Sequence, residues 1–188
     1  MVEKEMKQKQ KAKKGGKKKF FEVNVPLTAT KIFLYATEEQ ELDGKTIKLD
    51  MTKSLRGKSL ELKFRIKNNS GELIGIPEKI ELNISYIKRA MRTSVDYCED
   101  SFEVESKDSK ARIKHFLVAR KRVSRGILKS LRNEAKQFLA SYIKTRTSHE
   151  IFSEIMTNKL QKQLSLKLKK IYPLAMCEIR MFEILNSK

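Results

Sequence analysis

The chain has 188 residues, of which 39% are hydrophobic and 35% charged, and its formal net charge is +19 at pH 7. This length fits one domain with a buried core, and the basic excess predicts attraction to polyanions. The sequence contains no run of about 18 apolar residues, which excludes a membrane-spanning helix. Its two cysteines, Cys98 and Cys177, form no CxxC pair, which argues against a zinc ribbon. Without a secretory signal, they are expected to be buried thiols in a reducing cytosol.

The positive charge is concentrated in two segments. Residues 1–19 contain nine lysines and two glutamates, and residues 110–146 contain twelve basic residues and one acid, Glu134. Residues 20–109, in contrast, contain more acidic than basic residues. Such a distribution indicates an organised nucleic-acid footprint, because charge added only for solubility would be spread more evenly.

Residues 1–19 are predicted to form a disordered basic tail. They contain almost no large apolar side chains, so ordering them would bury too little surface to offset the lost chain entropy. The favoured function is an arm that lies along phosphates and orders on binding. A tail that only keeps the protein in solution is the alternative.

Residues 20–76 are predicted to form short strands, over 20–25, 31–37, 45–49, 58–67 and 72–76. The strand at 58–67 is the clearest, since Leu60, Leu62, Phe64 and Ile66 alternate with charged residues. Pro77 is expected to end the last of these strands. A short helix from about Asn83 to Met91 is predicted next.

Two further strands are predicted at Thr93 to Glu105 and Lys110 to Ala119. Apolar residues occur at both odd and even positions near the end of the second strand, which indicates burial on both of its faces. His115 lies on this strand, and we expect it to be a hydrogen-bonded core residue or one that faces RNA.

A long amphipathic helix is predicted from about Val123. At about 100° per residue its apolar side chains span an arc of about 160°. These are Ile127, Leu128, Leu131, Ala135, Phe138, Leu139, Tyr142 and Ile143. Four basic residues fall along one edge of that arc: Arg125, Lys129, Arg132 and Lys136. One side of the helix is therefore expected to pack on a sheet and one flank to form a basic stripe.

The last part of the chain is predicted to contain two helices, over 148–156 and 157–170, and a closing strand over 174–185. Ser148 is the expected N-cap of the first helix. Strands and helices thus occur in blocks, which predicts an α+β fold with a mainly antiparallel sheet or barrel-like β core packed with several helices. Residues 20–188 are expected to form a single RNA-binding domain behind the tail.

The motifs of common enzymes are missing from the sequence. There is no phosphate-binding loop and no Gly-x-Ser-x-Gly elbow. The two histidines, His115 and His149, have no metal-site spacing with the cysteines. We therefore predict no catalytic residue, no metal and no cofactor.

Contacts with phosphates and with nucleic-acid shape are favoured over base-by-base recognition. The chain has no tryptophan and no basic-aromatic strand motif of the kind that stacks bases, and Phe64, Phe116 and Phe138 lie at core positions. Arginine guanidiniums can bridge phosphate oxygens. The residues predicted to contact RNA are Lys13, Lys14, Lys17, Lys18, Lys19, Arg56, Lys58, Arg89, Arg92, Arg120, Lys121, Arg122, Arg125, Lys129, Arg132 and Lys136.

Nearly the whole chain resembles the archaeal and eukaryotic small-subunit ribosomal protein family called S-three-a, also grouped as the eukaryotic-type S-one family. The resemblance lies in the order and spacing of KKKFFEV, GKTIKLDMTKSLRGKSLELKFRI, PEKIELNISYIKRAMRTSVDYCEDSFEV, the basic strand and helix, and KIYPLAMCEIRMFEIL. Ile171-Tyr172-Pro173 is its most specific marker. Phe20-Phe21 stands where the family often has Trp-Tyr. The chain stops at its last strand, as in the shorter archaeal form.

The resemblance implies a non-enzymatic, cytoplasmic constituent of the small ribosomal subunit, present in one copy per ribosome. The family occupies the subunit platform near the mRNA exit. Its implied partners are the small-subunit rRNA, neighbouring platform proteins and mRNA near the exit, and no membrane. Two alternatives remain open: a stand-alone RNA-binding chaperone or regulator, and an enzyme such as a nuclease or RNA-modifying enzyme.

Overall fold

A computed structural model of the protein describes residues 17–53, 55, 58–69 and 71–185. In these residues the chain forms eight β-strands, four α-helices and one 3-10 helix, at Glu39–Leu42. The strands are β1 (Lys19–Val25), β2 (Thr30–Ala36), β3 (Thr46–Asp50), β4 (Leu60–Asn69), β5 (Glu72–Leu82), β6 (Tyr97–Glu105), β7 (Lys110–Ala119) and β8 (Leu174–Leu185). The helices are α1 (Ile84–Ala90), α2 (Arg125–Lys144), α3 (Ser148–Met156) and α4 (Lys159–Leu168). This is an α+β fold with a largely antiparallel sheet, as predicted.

The chain divides into two compact units. Among the described residues, the first contains those of 17–47 and 65–76, and the second contains those of 48–64 and 77–185. The boundaries fall inside β3, β4 and β5. The single domain expected over residues 20–188 stays a prediction, and the tail expected over residues 1–19 lies outside the described residues except for its last three lysines.

The first unit is built on a β-hairpin. Strand β1 pairs antiparallel with β2, from Lys19 opposite Ala36 to Val25 opposite Thr30, and its other edge pairs parallel with the start of β5. Because side chains alternate between the two faces of a strand, one face of the hairpin is apolar and packs into a small core. The core consists of Val23, Ala36, Leu42, Ile66 and Leu73.

The second unit is organised around β7, which lies antiparallel between β6 and β8. The end of β5 extends this sheet by pairing with β8. Helix α2 packs on β6, and helices α3 and α4 pack on β8. All side chains from His115 to Ala119 are buried, which confirms the predicted burial of both faces at the end of β7.

Several element boundaries differ from the predictions, two of them for reasons that the structure shows. Strand β5 continues through Pro77 to Leu82, because Pro77 falls between the segment that pairs with β1 and the segment that pairs with β8, where its missing N–H breaks neither ladder. Strand β6 begins at Tyr97 rather than Thr93. The preceding Asp96 instead closes a turn, because its carboxylate accepts a hydrogen bond from the Val123 amide at 2.8 Å.

The N-cap of α3 is Thr147, one residue before the predicted Ser148. Thr147 and Glu150 form a reciprocal capping box, which satisfies two amides at the start of the helix. The hydroxyl of Ser148 lies 2.8 Å from that of Ser109 and 3.1 Å from that of Ser106. Ser148 therefore fastens the helix start to the turn between β6 and β7.

His115 is a core residue that lacks the expected hydrogen bond. Its side chain is fully buried, its ring contacts that of Phe102 with the centroids 6.1 Å apart, and neither ring nitrogen has a partner within the described chain. Burial lowers the pKa of His115 to about 4; Asp100 opposes this shift, and Arg132 adds to it.

Lys58 joins three elements of the second unit. Its ammonium donates hydrogen bonds to Oε2 of Glu178 on β8 at 2.5 Å and to Oδ1 of Asn158 before α4 at 2.6 Å. The side chains of Lys58 and Glu178 are only 8% and 14% exposed. A pair withdrawn from water in this way is tolerated only while both charges are present.

Acidification is expected to destabilise the fold through His115. As the pH falls, the unfolded chain binds the proton near pH 6.5, whereas folded His115 binds it only near pH 4. The stability that depends on neutral His115 is therefore complete above pH 6.5 and lost towards pH 4, by about 3 kcal/mol in total. Urea unfolding at pH 7 and pH 4.5 should show a larger loss in the wild type than in His115→Leu. Equal losses would contradict this assignment.

Removing the Lys58 charge is expected to destabilise the second unit. Lys58→Met leaves the carboxylate of Glu178 buried without its cation, which should lower the free energy of unfolding by about 3 kcal/mol. The double variant Lys58→Met, Glu178→Leu should lose less, because no buried charge remains. Guanidinium unfolding measures both values. A double variant that is less stable than Lys58→Met would contradict this account.

Candidate nucleic-acid interface

Helix α2 carries the predicted basic stripe on a flank that faces solvent. The helix begins at Arg125 because the Ser124 side chain caps it, accepting a hydrogen bond from the Ile127 amide. Its buried positions are Leu131, Ala135, Leu139 and Ile143. All four basic residues of the stripe, Arg125, Lys129, Arg132 and Lys136, are exposed. Since they are spaced three or four residues apart, they form one row along the helix.

Within the described part of the chain, no carboxylate forms an ion pair with any of these four residues. The Lys136 ammonium lies over the Phe102 ring, 5.6 Å from its centroid, and Arg132 is close enough to His115 to help lower its pKa. The charges of the stripe are therefore not neutralised by acidic neighbours, and they remain available to a polyanion.

The turn that precedes α2 adds three exposed cations. Arg120 Nε donates to the Leu174 carbonyl at 3.5 Å, and Arg122 Nη2 donates to the Thr93 carbonyl at 3.3 Å. Each of these bonds uses one of the five N–H donors of a guanidinium, so both groups keep donors that face solvent. Lys121 between them is also exposed.

Strand β6 is preceded by another predicted cation, Arg92, which the fold brings to the same turn. Arg92 directly precedes Thr93, whose carbonyl accepts the hydrogen bond from Arg122. Together, the turn, the stripe and Arg92 form what we call the basic band: Arg92, Arg120, Lys121, Arg122, Arg125, Lys129, Arg132 and Lys136. The band combines residues that are far apart in sequence.

Arg89 lies on α1, one helical turn before Arg92. Its side chain is exposed, and its guanidinium carbon lies 5.7 Å from the centroid of the Tyr86 ring. Arg89 therefore stays a predicted RNA contact outside the band.

The structure contradicts the expectation that Lys58 faces RNA. Lys58 is 7% exposed and its ammonium is held by Glu178 and Asn158. The sequence suggested solvent exposure because Lys58 begins a strand after a turn, and the distant residues that cover it give no local signal.

The remaining predicted cations belong to the N-terminal segment and one loop. Lys17, Lys18 and Lys19 are exposed in the first unit, and the Lys18 ammonium lies 5.7 Å from the centroid of the Tyr35 ring. Lys13, Lys14 and Arg56 lie outside the described residues.

The predictions from the sequence missed four exposed aromatic side chains: Tyr97 on β6, which is 51% exposed, and three on the hairpin of the first unit. Phe20, Phe33 and Tyr35 are 72%, 63% and 58% exposed, and all three lie on the hairpin of the first unit. Phe64 and Phe116 are buried as expected, and Phe138 is partly buried. The signal that could have found the three on the hairpin is alternation: in β1 and β2, each of these aromatics is offset by one residue from the buried positions.

The two thiols have the properties of structural cysteines. Both are free. Leu117 on β7 lies between them, opposite Cys98 on β6 and opposite Cys177 on β8. Burial raises the pKa of Cys98 to about 11 and the pKa of Cys177 well above its usual range. Both groups are therefore protonated and unreactive at neutral pH.

The described residues contain no group of three or more side chains that could hold a metal ion. Among the helices that the structure describes, none is long and apolar enough to cross a membrane.

Comparison with known proteins gives a match along almost the whole sequence. The model of the Ribosomal S3Ae family matches residues 6–188. A relative named "Small ribosomal subunit protein eS1", from Nanoarchaeum equitans (strain Kin4-M), is 24% identical over 174 residues, covering 88% of this chain and 88% of the relative. The resemblance seen in the sequence is thereby confirmed: the chain belongs to the Ribosomal S3Ae family.

Proposed function

We propose that this ribosomal protein is a non-enzymatic structural constituent of the small ribosomal subunit and binds rRNA through its basic band. The observation that carries the proposal is the row of exposed cations on α2, which has no carboxylate partners within the described residues. Family membership supports the assignment to the ribosome, and the name of the eS1 relative supports the small subunit.

The band is suited to phosphate contacts on a fixed frame. Its helix is held by four buried side chains, and its turn is fastened by hydrogen bonds from Arg120 and Arg122. The backbone that carries these cations is therefore ordered before RNA binds, and guanidiniums bridge two phosphate oxygens at once. Contacts of this kind set position and orientation on RNA rather than sequence preference.

The proposed site of assembly is the platform of the small subunit near the mRNA exit. The partners there would be the small-subunit rRNA, neighbouring platform proteins and mRNA near the exit, with one copy of the protein in each cytoplasmic ribosome. In this role the protein supports translation by holding rRNA in place, and needs no cofactor.

Sedimentation tests assignment to the subunit. In a sucrose gradient of a lysate from cells that make the protein, it should co-sediment with small subunits and withstand moderate salt. Quantitative mass spectrometry of those fractions should give about one copy per subunit. A protein that stays at the top of the gradient in low salt contradicts the proposal. Substoichiometric binding that moderate salt releases would indicate an RNA chaperone or regulator.

Reversing two charges of the band tests the binding surface. Arg125→Glu with Arg132→Glu should weaken binding to small-subunit rRNA by at least tenfold, and the slope of log affinity against log salt should become shallower by about two. Stability should change by less than about 0.5 kcal/mol, because both side chains are exposed.

The matched control is Lys162→Glu with Lys170→Glu, which changes the net charge equally at two exposed lysines near α4. Fluorescence anisotropy gives the affinities, and circular dichroism reports the fold. An equal loss of affinity in both double variants would show a general charge effect and contradict a defined band. Unfolding of the Arg125, Arg132 variant would contradict the placement of these side chains.

A further inference from the structure

The hairpin of the first unit has an aromatic face in addition to its apolar core face. Phe20 on β1 is paired with Tyr35 on β2, and Phe33 lies two residues before Tyr35 on the same strand. Side chains two residues apart on a strand share a face and lie about 7 Å apart. Phe20, Phe33 and Tyr35 therefore form one group on the face opposite Val23 and Ala36. We call this group the aromatic face.

Apolar side chains exposed singly are common on protein surfaces, whereas a contiguous group of exposed rings more often marks a binding surface. The three rings are 58–72% exposed, although the core of the unit is complete on the other side of the hairpin. Phe20 and Tyr35 contact each other, with ring centroids 5.0 Å apart at an interplanar angle of 44°. Such a cross-strand pair stabilises a hairpin modestly. It does not account for Phe33, which has no ring partner among the described residues.

The charges around the aromatic face favour a polyanion. Lys17, Lys18 and Lys19 lead directly into β1 and are exposed, and the Lys18 ammonium lies 5.7 Å from the centroid of the Tyr35 ring. The acid on this face, Glu22, is neutralised by Lys31 at 2.6 Å. An RNA strand that approached the rings would meet these three lysines and no unpaired carboxylate on the two strands themselves. The nearby acid Glu41, beyond β2, is paired with Lys45 at 3.0 Å, and Lys18 also helps to lower its pKa.

We propose that the aromatic face stacks unpaired bases of RNA, while the adjoining lysines neutralise the phosphates of the same strand. The proposal rests on the proposed rRNA-binding function and adds a preference for single-stranded segments. Aromatic rings stack on any base, because every base has a π-face, and bases in a duplex are already stacked on one another. The face therefore selects unpaired RNA without selecting a particular sequence.

Truncating the rings tests the proposal. The triple variant Phe20→Ala, Phe33→Ala, Tyr35→Ala should bind a short fluorescein-labelled oligouridine at least tenfold more weakly than the wild type. The slope of log affinity against log salt should not change, because no cation is removed. Affinity for a blunt RNA duplex should also stay the same. Leu166→Ala, which removes an exposed apolar side chain from α4, is the control and should leave both affinities unchanged.

A tryptophan probe tests stacking directly. Since the chain has no tryptophan, Phe33→Trp introduces a single indole on the aromatic face, and its fluorescence should be quenched when oligouridine binds. Leu166→Trp places the same probe on an exposed position of α4 and should not be quenched. Equal quenching of the two probes, or none at Phe33→Trp at saturating RNA, would overturn the proposal.

The results separate this inference from the function on which it rests. Wild-type protein that fails to bind any rRNA and stays free of small subunits refutes the proposed function. A different result overturns only the stacking role: the wild type binds the duplex, and the triple variant binds oligouridine as tightly as the wild type does. If that triple variant also fails to enter small subunits, the aromatic face contacts a protein instead. Circular dichroism of the triple variant checks that the exposed substitutions leave the fold intact.

Discussion

Packing of the apolar side of α2 determines which charges of this protein face water. Leu131, Ala135, Leu139 and Ile143 are each at most 1% exposed, and burying a side chain of the size of leucine stabilises the fold by about 2 kcal/mol. These residues fix the rotation of the helix about its axis, because turning it would expose them and drive cations into the core. The exposed stripe is therefore a consequence of core packing. The hydrogen bonds that fasten the turn before α2 extend the same rigid frame to Arg120 and Arg122.

Burial also distinguishes the lysines that can meet RNA from one that cannot. Lys58 and Lys129 have the same chemical group and both lie in basic surroundings in the sequence. The ammonium of Lys58 is enclosed with Glu178 and Asn158, so moving it to a phosphate would leave a buried carboxylate without a cation. Lys129 has no acidic partner among the described residues and lies on an exposed helix flank. A basic residue is thus a candidate RNA contact only when the fold does not already use its charge.

The sequence was sufficient to predict the helices and strands whose hydrophobic periodicity is strong. Strands β4, β7 and β8 and helix α2 were predicted closely, because a buried face imposes its period of two or 3.6 residues over a long stretch. Features that depend on residues distant in sequence could not be predicted from the sequence. Pro77 continues a strand because of where two ladders meet, and Lys58 is buried by residues about 100 positions away. The candidate site was predictable on α2, where one helix carries the charges, but the addition of Arg92 required the tertiary fold. The exposure of Phe20 and Phe33 was missed because aromatic residues in strands usually indicate core.

The basic band and the aromatic face would make two different kinds of RNA contact, and each surface belongs to its own unit. A row of guanidiniums and ammoniums binds phosphates wherever the backbone geometry fits, so its affinity is strongly salt-dependent and largely independent of sequence. Rings exposed on a sheet face need bases that are free to leave a stack, so their contribution requires unpaired RNA and is less sensitive to salt. The band alone would tolerate many duplexes, and the aromatic face alone many single strands. The two surfaces therefore differ in what they require of RNA: the band requires phosphates in a fitting geometry, and the aromatic face requires bases that are not already stacked in a duplex.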